Sequence, residues 1–121
     1  MHKSIHMTMQ QYLSEQLAAC KVREAQLAQE QRGDEATLAR IEGNIYEVFA
    51  TVWNVAAREQ DHEKGLTFFR ARLAQIPQAW RDAREKALAH GDAEKAHIEA
   101  VKIAAAQAVS DALDRIAEAE T

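Results

Sequence analysis

The chain has 121 residues, a net charge of −4 and 47% hydrophobic residues. This length fits one domain, and the hydrophobic fraction is higher than disordered chains usually have. With only four glycines and one proline, the composition is typical of helical proteins and argues against a turn-rich sheet fold. The single cysteine, Cys20, forms no intrachain disulfide, so a reducing compartment fits the sequence.

The amino-terminal segment MHKSIHMTMQQ lacks the apolar stretch of a secretory signal. No run in the chain approaches the roughly 18 apolar residues of a membrane span. We therefore expect a cytoplasmic protein that does not enter a membrane. Because terminal residues without apolar partners are usually poorly ordered, we also expect residues 1–7 to be flexible.

The first predicted helix covers about residues 8–32. Its apolar residues recur at helical spacing and share one face: Leu13, Leu17, Cys20 and Leu27. Gly33 suits the left-handed position after a helix, and Asp34 can cap the next helix. A tight turn between antiparallel helices is predicted here.

The second predicted helix, about residues 34–60, has the most regular pattern. Its main apolar stripe steps by three and four residues: Leu38, Ile41, Ile45, Val48, Val52 and Val55. A second stripe, Tyr46, Phe49 and Trp53, runs beside it. Together the two stripes cover roughly half of the helix circumference, so we expect this helix to need two or more neighbours.

A proline interrupts the third pattern, which we divide into helices at about 64–75 and 77–90. Pro77 cannot donate a backbone hydrogen bond and should move Ile76 out of helical dihedrals. The apolar phase is nevertheless the same on both sides, so we expect two nearly collinear helices, with Pro77 opening the second. The aromatic residues Trp53 and Trp80 are both predicted to lie in the core.

The last predicted helix covers about residues 92–119, after a second stop and start signature at Gly91 and Asp92. Its inward residues are predicted to be Ile98, Val101, Ala105, Val109, Ala112 and Ile116. The whole chain, 1–121, is thus predicted to be one all-α domain. Its architecture is predicted to be a four-helix bundle with the third helix broken at Pro77.

Three fragments carry a resemblance to a known group: IEGNIYEVFATV, FFRARLAQIPQAW and AHGDAEKAHIEAVK. They resemble segments of small uncharacterised helical proteins of bacteria, and the resemblance covers roughly residues 34–110. It implies a bacterial, cytoplasmic, all-helical protein. No functional residue follows from it, because the shared motifs are packing motifs.

The sequence contains no phosphate-binding glycine loop, nucleophile elbow or zinc motif. Glu59 with His62, and Glu94 with His97, match the Glu-x-x-His steps of di-iron bundles. In an up-down-up-down bundle these steps lie at opposite ends, roughly 35 Å apart, so they cannot share a metal ion within one chain. A metal site formed by Glu59 and His62 from two copies of the chain stays open. We therefore predict no catalytic, cofactor-binding or metal-binding residues, and a protein that is not an enzyme.

Basic residues concentrate near the proline, since residues 63–90 hold six Lys or Arg against three Asp or Glu. Within this segment, the predicted partner-binding surface comprises Phe68, Arg70, Arg81, Arg84 and Lys86. An acidic, unidentified protein partner fits it better than nucleic acid does, because the sequence pI is 5.7 and no reading helix is recognisable.

The apolar surplus on the second helix, together with Phe68, predicts a symmetric homodimer. The leading functional hypothesis is a small cytoplasmic interaction or regulatory protein. One alternative is a nucleic-acid-associated regulator that uses the surface around residues 70–86. A metal-carboxylate bundle enzyme is the more distant alternative.

Overall fold

The computed structural model describes residues 2–120, and over this range it contains helices and no strand. The protein is therefore all-α. The helices are α1 (His2–Gln29), α2 (Gly33–Ala57), α3 (His62–Gln75), α4 (Gln78–Ala89) and α5 (Ala93–Ala119).

Two helix pairs built on short connections form the framework. α1 packs along α2, and α4 packs along α5. α2 joins the two pairs because it contacts both α5 and α3, while α1 reaches α5 as well. Between them lies one core, whose largest fully buried side chains are Phe49, Phe69, Met9, Leu13, Leu113, Val109 and Pro77.

α1 begins earlier than the sequence pattern predicts. Of residues 1–7, residue 1 lies outside the described part of the chain, and residues 2–7 form the first turns of this helix. Ile5 is buried and Met9 is completely so. The expected boundary near residue 8 is wrong because these two side chains extend the apolar face of Leu13 by two further turns.

The main stripe predicted for α2 faces the core only in part: Ile45 is buried, and Leu38, Ile41 and Val52 are partly buried. Val48 and Val55 are 38% and 44% exposed, whereas Tyr46, Phe49 and Trp53 of the predicted second stripe are buried. The aromatic rings bury more apolar area than valine, so the helix rotates to bring them inward. A regular valine stripe therefore remains at the edge of the core.

The two predicted turn signatures have different outcomes. After α4, Gly91 has φ of +71° and the Asp92 carboxylate accepts a hydrogen bond from the amide of Lys95 at 3.0 Å, as predicted. After α1, Gln31 takes the left-handed conformation and Gly33 already lies in α2, without a side-chain cap. The prediction for Gly33 and Asp34 is therefore wrong.

The backbone around Pro77 stays close to helical. Ile76 has φ −58° and ψ −44°, and its amide donates to the carbonyl of Arg72 at 2.9 Å. The predicted displacement of Ile76 from helical dihedrals is thus wrong. Pro77 lies at the cap position before α4, where its carbonyl accepts from the amide of Arg81 at 3.0 Å, and its ring is buried in the core.

Aromatic contacts fix α3 against α2. The Phe69 ring meets Trp53 at 5.0 Å and Phe49 at 6.3 Å between centroids, in both cases nearly perpendicular. Trp53 is buried as predicted, but Trp80 is only partly buried at the margin of the core. The prediction for Trp80 is corrected accordingly, because α4 packs mainly along α5 and not against α2.

α2 and α3 approach each other most closely at Gly65. A β-carbon placed there would lie 2.7 Å from the backbone oxygen of Ala56, whereas one at Gly33 would meet nothing within 4 Å. We expect Gly65→Ala to lower the free energy of unfolding by about 1–3 kcal/mol, because the helices must separate. Gly33→Ala, the matched control, should be neutral or stabilising by up to about 1 kcal/mol. Urea unfolding measures both, and equal effects would contradict this account.

Two tyrosines meet between α1 and α2. The rings of Tyr12 and Tyr46 pack edge to face with 6.4 Å between centroids, and the Tyr12 hydroxyl donates to the carbonyl of Ala108 at 3.3 Å. Burial raises the pKa of both phenols above their ordinary value, and more strongly for Tyr46. The folded protein therefore holds these protons more tightly than the unfolded chain.

This difference predicts alkaline instability. Stability from the tyrosines is fully present below about pH 10, where the unfolded phenols are protonated, and is lost as the pH rises towards the folded pKa values. We expect the free energy of unfolding to fall more steeply above about pH 10 in the wild type than in Tyr46→Phe. Urea titrations between about pH 8 and pH 11 test this, and parallel pH profiles would refute it.

Candidate functional site

The predicted partner-binding residues do not form one surface. Phe68 and Arg70 lie two residues apart on α3 and so point roughly 200° apart around the helix. Phe68 is partly buried against the core, with the Arg72 guanidinium 5.1 Å from its ring centre. Arg70 turns towards α5, where it forms an ion pair with Asp114 at 2.8 Å.

Arg70 and Arg81 line the same groove beside Pro77. The groove lies between the α3–α4 junction and α5, has a volume of about 240 Å³, and also contains Ser110. Its positive charge is offset because the Asp114 carboxylate already pairs with Arg70. The other two predicted cations, Arg84 and Lys86, are exposed on α4 and lie on different sides of it, since they are two residues apart.

A more coherent apolar surface lies beside the core at the junction of α2 and α3. We call it the α2–α3 face and define it by Val48, Val52 and Val55 of α2 with Phe68 of α3. Val55 and Phe68 line one shallow cleft together with Gly65. The sequence contained the signal for this face in its valine stripe, but that stripe was assigned to the core.

Opposite charges flank the valines of this face. Glu47 and Arg58 are both exposed, and neither forms an ion pair with a side chain of residues 4–120. They are eleven residues apart, about three helical turns, and therefore lie on the same flank of α2 at opposite ends of the face. Such an arrangement complements itself when two copies meet antiparallel.

A cavity of about 200 Å³ opens where the start of α1, the end of α2 and the start of α3 converge. The residues that line it are His6, Trp53, Ala56, Ala57, Glu59, Gln60, His62, Gly65 and Leu66. His6 stacks on Trp53 with 6.1 Å between ring centres, and its carbonyl accepts a hydrogen bond from the indole Nε1 at 3.2 Å. The sequence pattern does not predict this cavity, because His6 falls within the residues 1–7 expected to be flexible.

Glu59 and His62, one of the two predicted Glu-x-x-His steps, share this cavity with His6. Glu94 and His97 are exposed in the first turns of α5, at the amino-terminal end of that helix. No group of three or more His, Cys, Asp or Glu side chains in the described part of the chain is placed to hold a metal ion.

Comparison with protein-family models, curated proteins and solved structures yields no match for this chain. None of the helices in residues 2–120 has the length and apolar content needed to cross a membrane.

Cys20 is buried in the α1–α2 interface, 2% exposed. Burial is the main cause that raises its thiol pKa, and Glu42 adds to it, while Arg23, with Nη2 3.6 Å from Sγ, opposes the shift. A buried thiol with a raised pKa is a poor nucleophile because the thiolate is the reactive form.

We therefore expect the folded protein to react with a thiol reagent at pH 8 at least about 100-fold more slowly than the chain in denaturing urea. The release of thionitrobenzoate gives both rates, and Cys20 is the single thiol that can contribute. Equal rates in the two states would show that Cys20 is accessible in the folded protein.

Proposed function

We propose that the protein is a small cytoplasmic interaction protein that pairs with a second copy of itself through the α2–α3 face. The observation that carries this proposal is the exposure of Val48 and Val55, 38% and 44%, beside the partly buried Val52 and Phe68. Isolated exposed valines are ordinary, but a cluster at helical spacing on one face is typical of an interface.

Charge complementarity selects a second copy as the partner. When two α2 helices pack antiparallel about a twofold axis near Val52, Val48 of each copy faces Val55 of the other. The same axis brings Glu47 of each copy to Arg58 of the other, within about one residue of register. A self-complementary patch of this kind needs no second protein, and twofold pairing is the commonest form of oligomer.

We also propose how the five helices form a four-helix bundle. We take α3 and α4 together as one position of a four-helix bundle, interrupted at Pro77, with α1, α2 and α5 as the others. The contacts support this grouping, because α3 packs on α2 while α4 packs along α5. The third position leaves α2 after α3, and the outer valines Val48 and Val55 stay exposed.

The other hypotheses lack a comparable observation. Arg70 is paired with Asp114, and Arg84 and Lys86 lie on different sides of α4, which disfavours one continuous phosphate-binding surface. A nucleic-acid-associated regulator, a metal-carboxylate enzyme and an acidic protein partner all stay predictions from the sequence.

Sedimentation equilibrium at micromolar concentration tests the pairing. We expect a concentration-dependent mass that rises to twice the 13.6 kDa chain mass. Val55→Glu should weaken the dimer at least about tenfold, because it buries a charge at the interface. Val22→Glu is the matched control, since Val22 is 58% exposed on α1, away from this face. A monomer at all concentrations, or equal effects of the two substitutions, would refute the proposal.

Charge reversal tests the orientation of the two copies. Glu47→Lys and Arg58→Glu should each weaken the dimer, since each places like charges opposite one another across the axis. The double variant restores opposite charges and should recover most of the affinity. A double variant that associates no better than the single variants would rule out the antiparallel register.

A further inference from the structure

The cavity at the end of the bundle has the shape and chemistry of a ligand site, and we propose that it binds a small aromatic amine in its protonated form. This inference does not depend on dimerisation. At about 200 Å³ the cavity is smaller than the pockets that hold drug-sized ligands. Three helices form most of its walls, and the short connection between α2 and α3 contributes Glu59 and Gln60.

The walls suit a flat apolar body. The His6 imidazole lies nearly parallel to the Trp53 indole, at 21°, and Ala56, Ala57 and Leu66 add aliphatic surface. Trp53 cannot serve as a hydrogen-bond donor to a ligand, because its Nε1 already donates to the carbonyl of His6. The aromatic wall therefore offers packing and π surface, which also attracts cations.

The charge around the cavity favours a cation. Among the described side chains that line it, Glu59 is the one that is charged when histidine is neutral. One of its carboxylate oxygens accepts from the amide of Asp61 at 3.4 Å, and among the side chains of residues 4–120 no Lys or Arg forms an ion pair with it. The carboxylate thus retains acceptor capacity for an ammonium group.

A second polar atom lacks a partner. Nδ1 of His6 is buried, and no protein atom hydrogen-bonds to it. Buried polar nitrogens in native proteins are nearly always hydrogen-bonded. Nδ1 does not open into the cavity, so a ligand would reach it only after the His6 ring rotates, and the preference for a cation rests on Glu59.

Amide and indole N–H chemical shifts of the full-length protein provide the test, with 2-phenylethylamine as the probe. We expect saturable shifts at Gly65, Leu66 and the Trp53 Nε1–H. The neutral analogue 2-phenylethanol should bind about five- to tenfold more weakly, and 3-phenylpropanoate more weakly still. No saturable shift at these positions up to about 10 mM amine, or equal binding of the anion, would overturn the proposal.

Variants test the Glu59 carboxylate and the cavity space separately. Glu59→Gln keeps the shape of the side chain and should remove the preference for the amine over the alcohol, whereas Glu63→Gln, on the exposed first turn of α3, should keep it. Ala57→Leu should abolish binding by filling the cavity from an exposed position. Unchanged affinity in Ala57→Leu, or unchanged preference for the amine in Glu59→Gln, would show that the amine binds elsewhere. The same spectra report whether each variant is folded.

Discussion

The close approach of α3 to α2 at Gly65 determines most of what surrounds it. Because Gly65 has no side chain, α3 can begin directly against the Ala56 carbonyl. The Phe69 ring, one turn later, then reaches both Trp53 and Phe49. A larger residue at this position would separate the helices and withdraw Phe69 from the centre of the core, where it is completely buried.

The same contact generates both candidate sites. On one side of it, the start of α1 closes over Trp53 and leaves the cavity lined by His6 and Glu59. On the other side, Val55 and Phe68 remain beside a shallow cleft. Gly65 and Glu59 border both features, so the dimer surface and the ligand cavity are neighbours across one helix junction.

The sequence predicted the helices well because their apolar residues recur at a helical period. It predicted the orientation of α2 poorly, since periodicity shows that a stripe exists but not which of two adjacent stripes is central. Only tertiary packing decides that Phe49 and Trp53 lie inward while Val48 lies at the margin. Local turn chemistry has a similar limit: Gly91 adopts the left-handed conformation, yet after α1 this conformation falls on Gln31, before the available Gly33.

The site was harder to predict than the fold, because its parts are distant in sequence. His6 and Glu59 line one cavity because α1 and α2 form an antiparallel pair of nearly equal length, which brings the first turns of one beside the end of the other. The predicted basic surface shows the reverse effect, in that neighbours in sequence are separated by the helical twist: Phe68 and Arg70 face different elements. Charge density along the chain is thus a weak guide to surface charge in a helical protein. Helical phase, applied to Glu47 and Arg58 as well as to the valines between them, is what assigns opposite charges to one flank of α2 and gives the proposed dimer its antiparallel register.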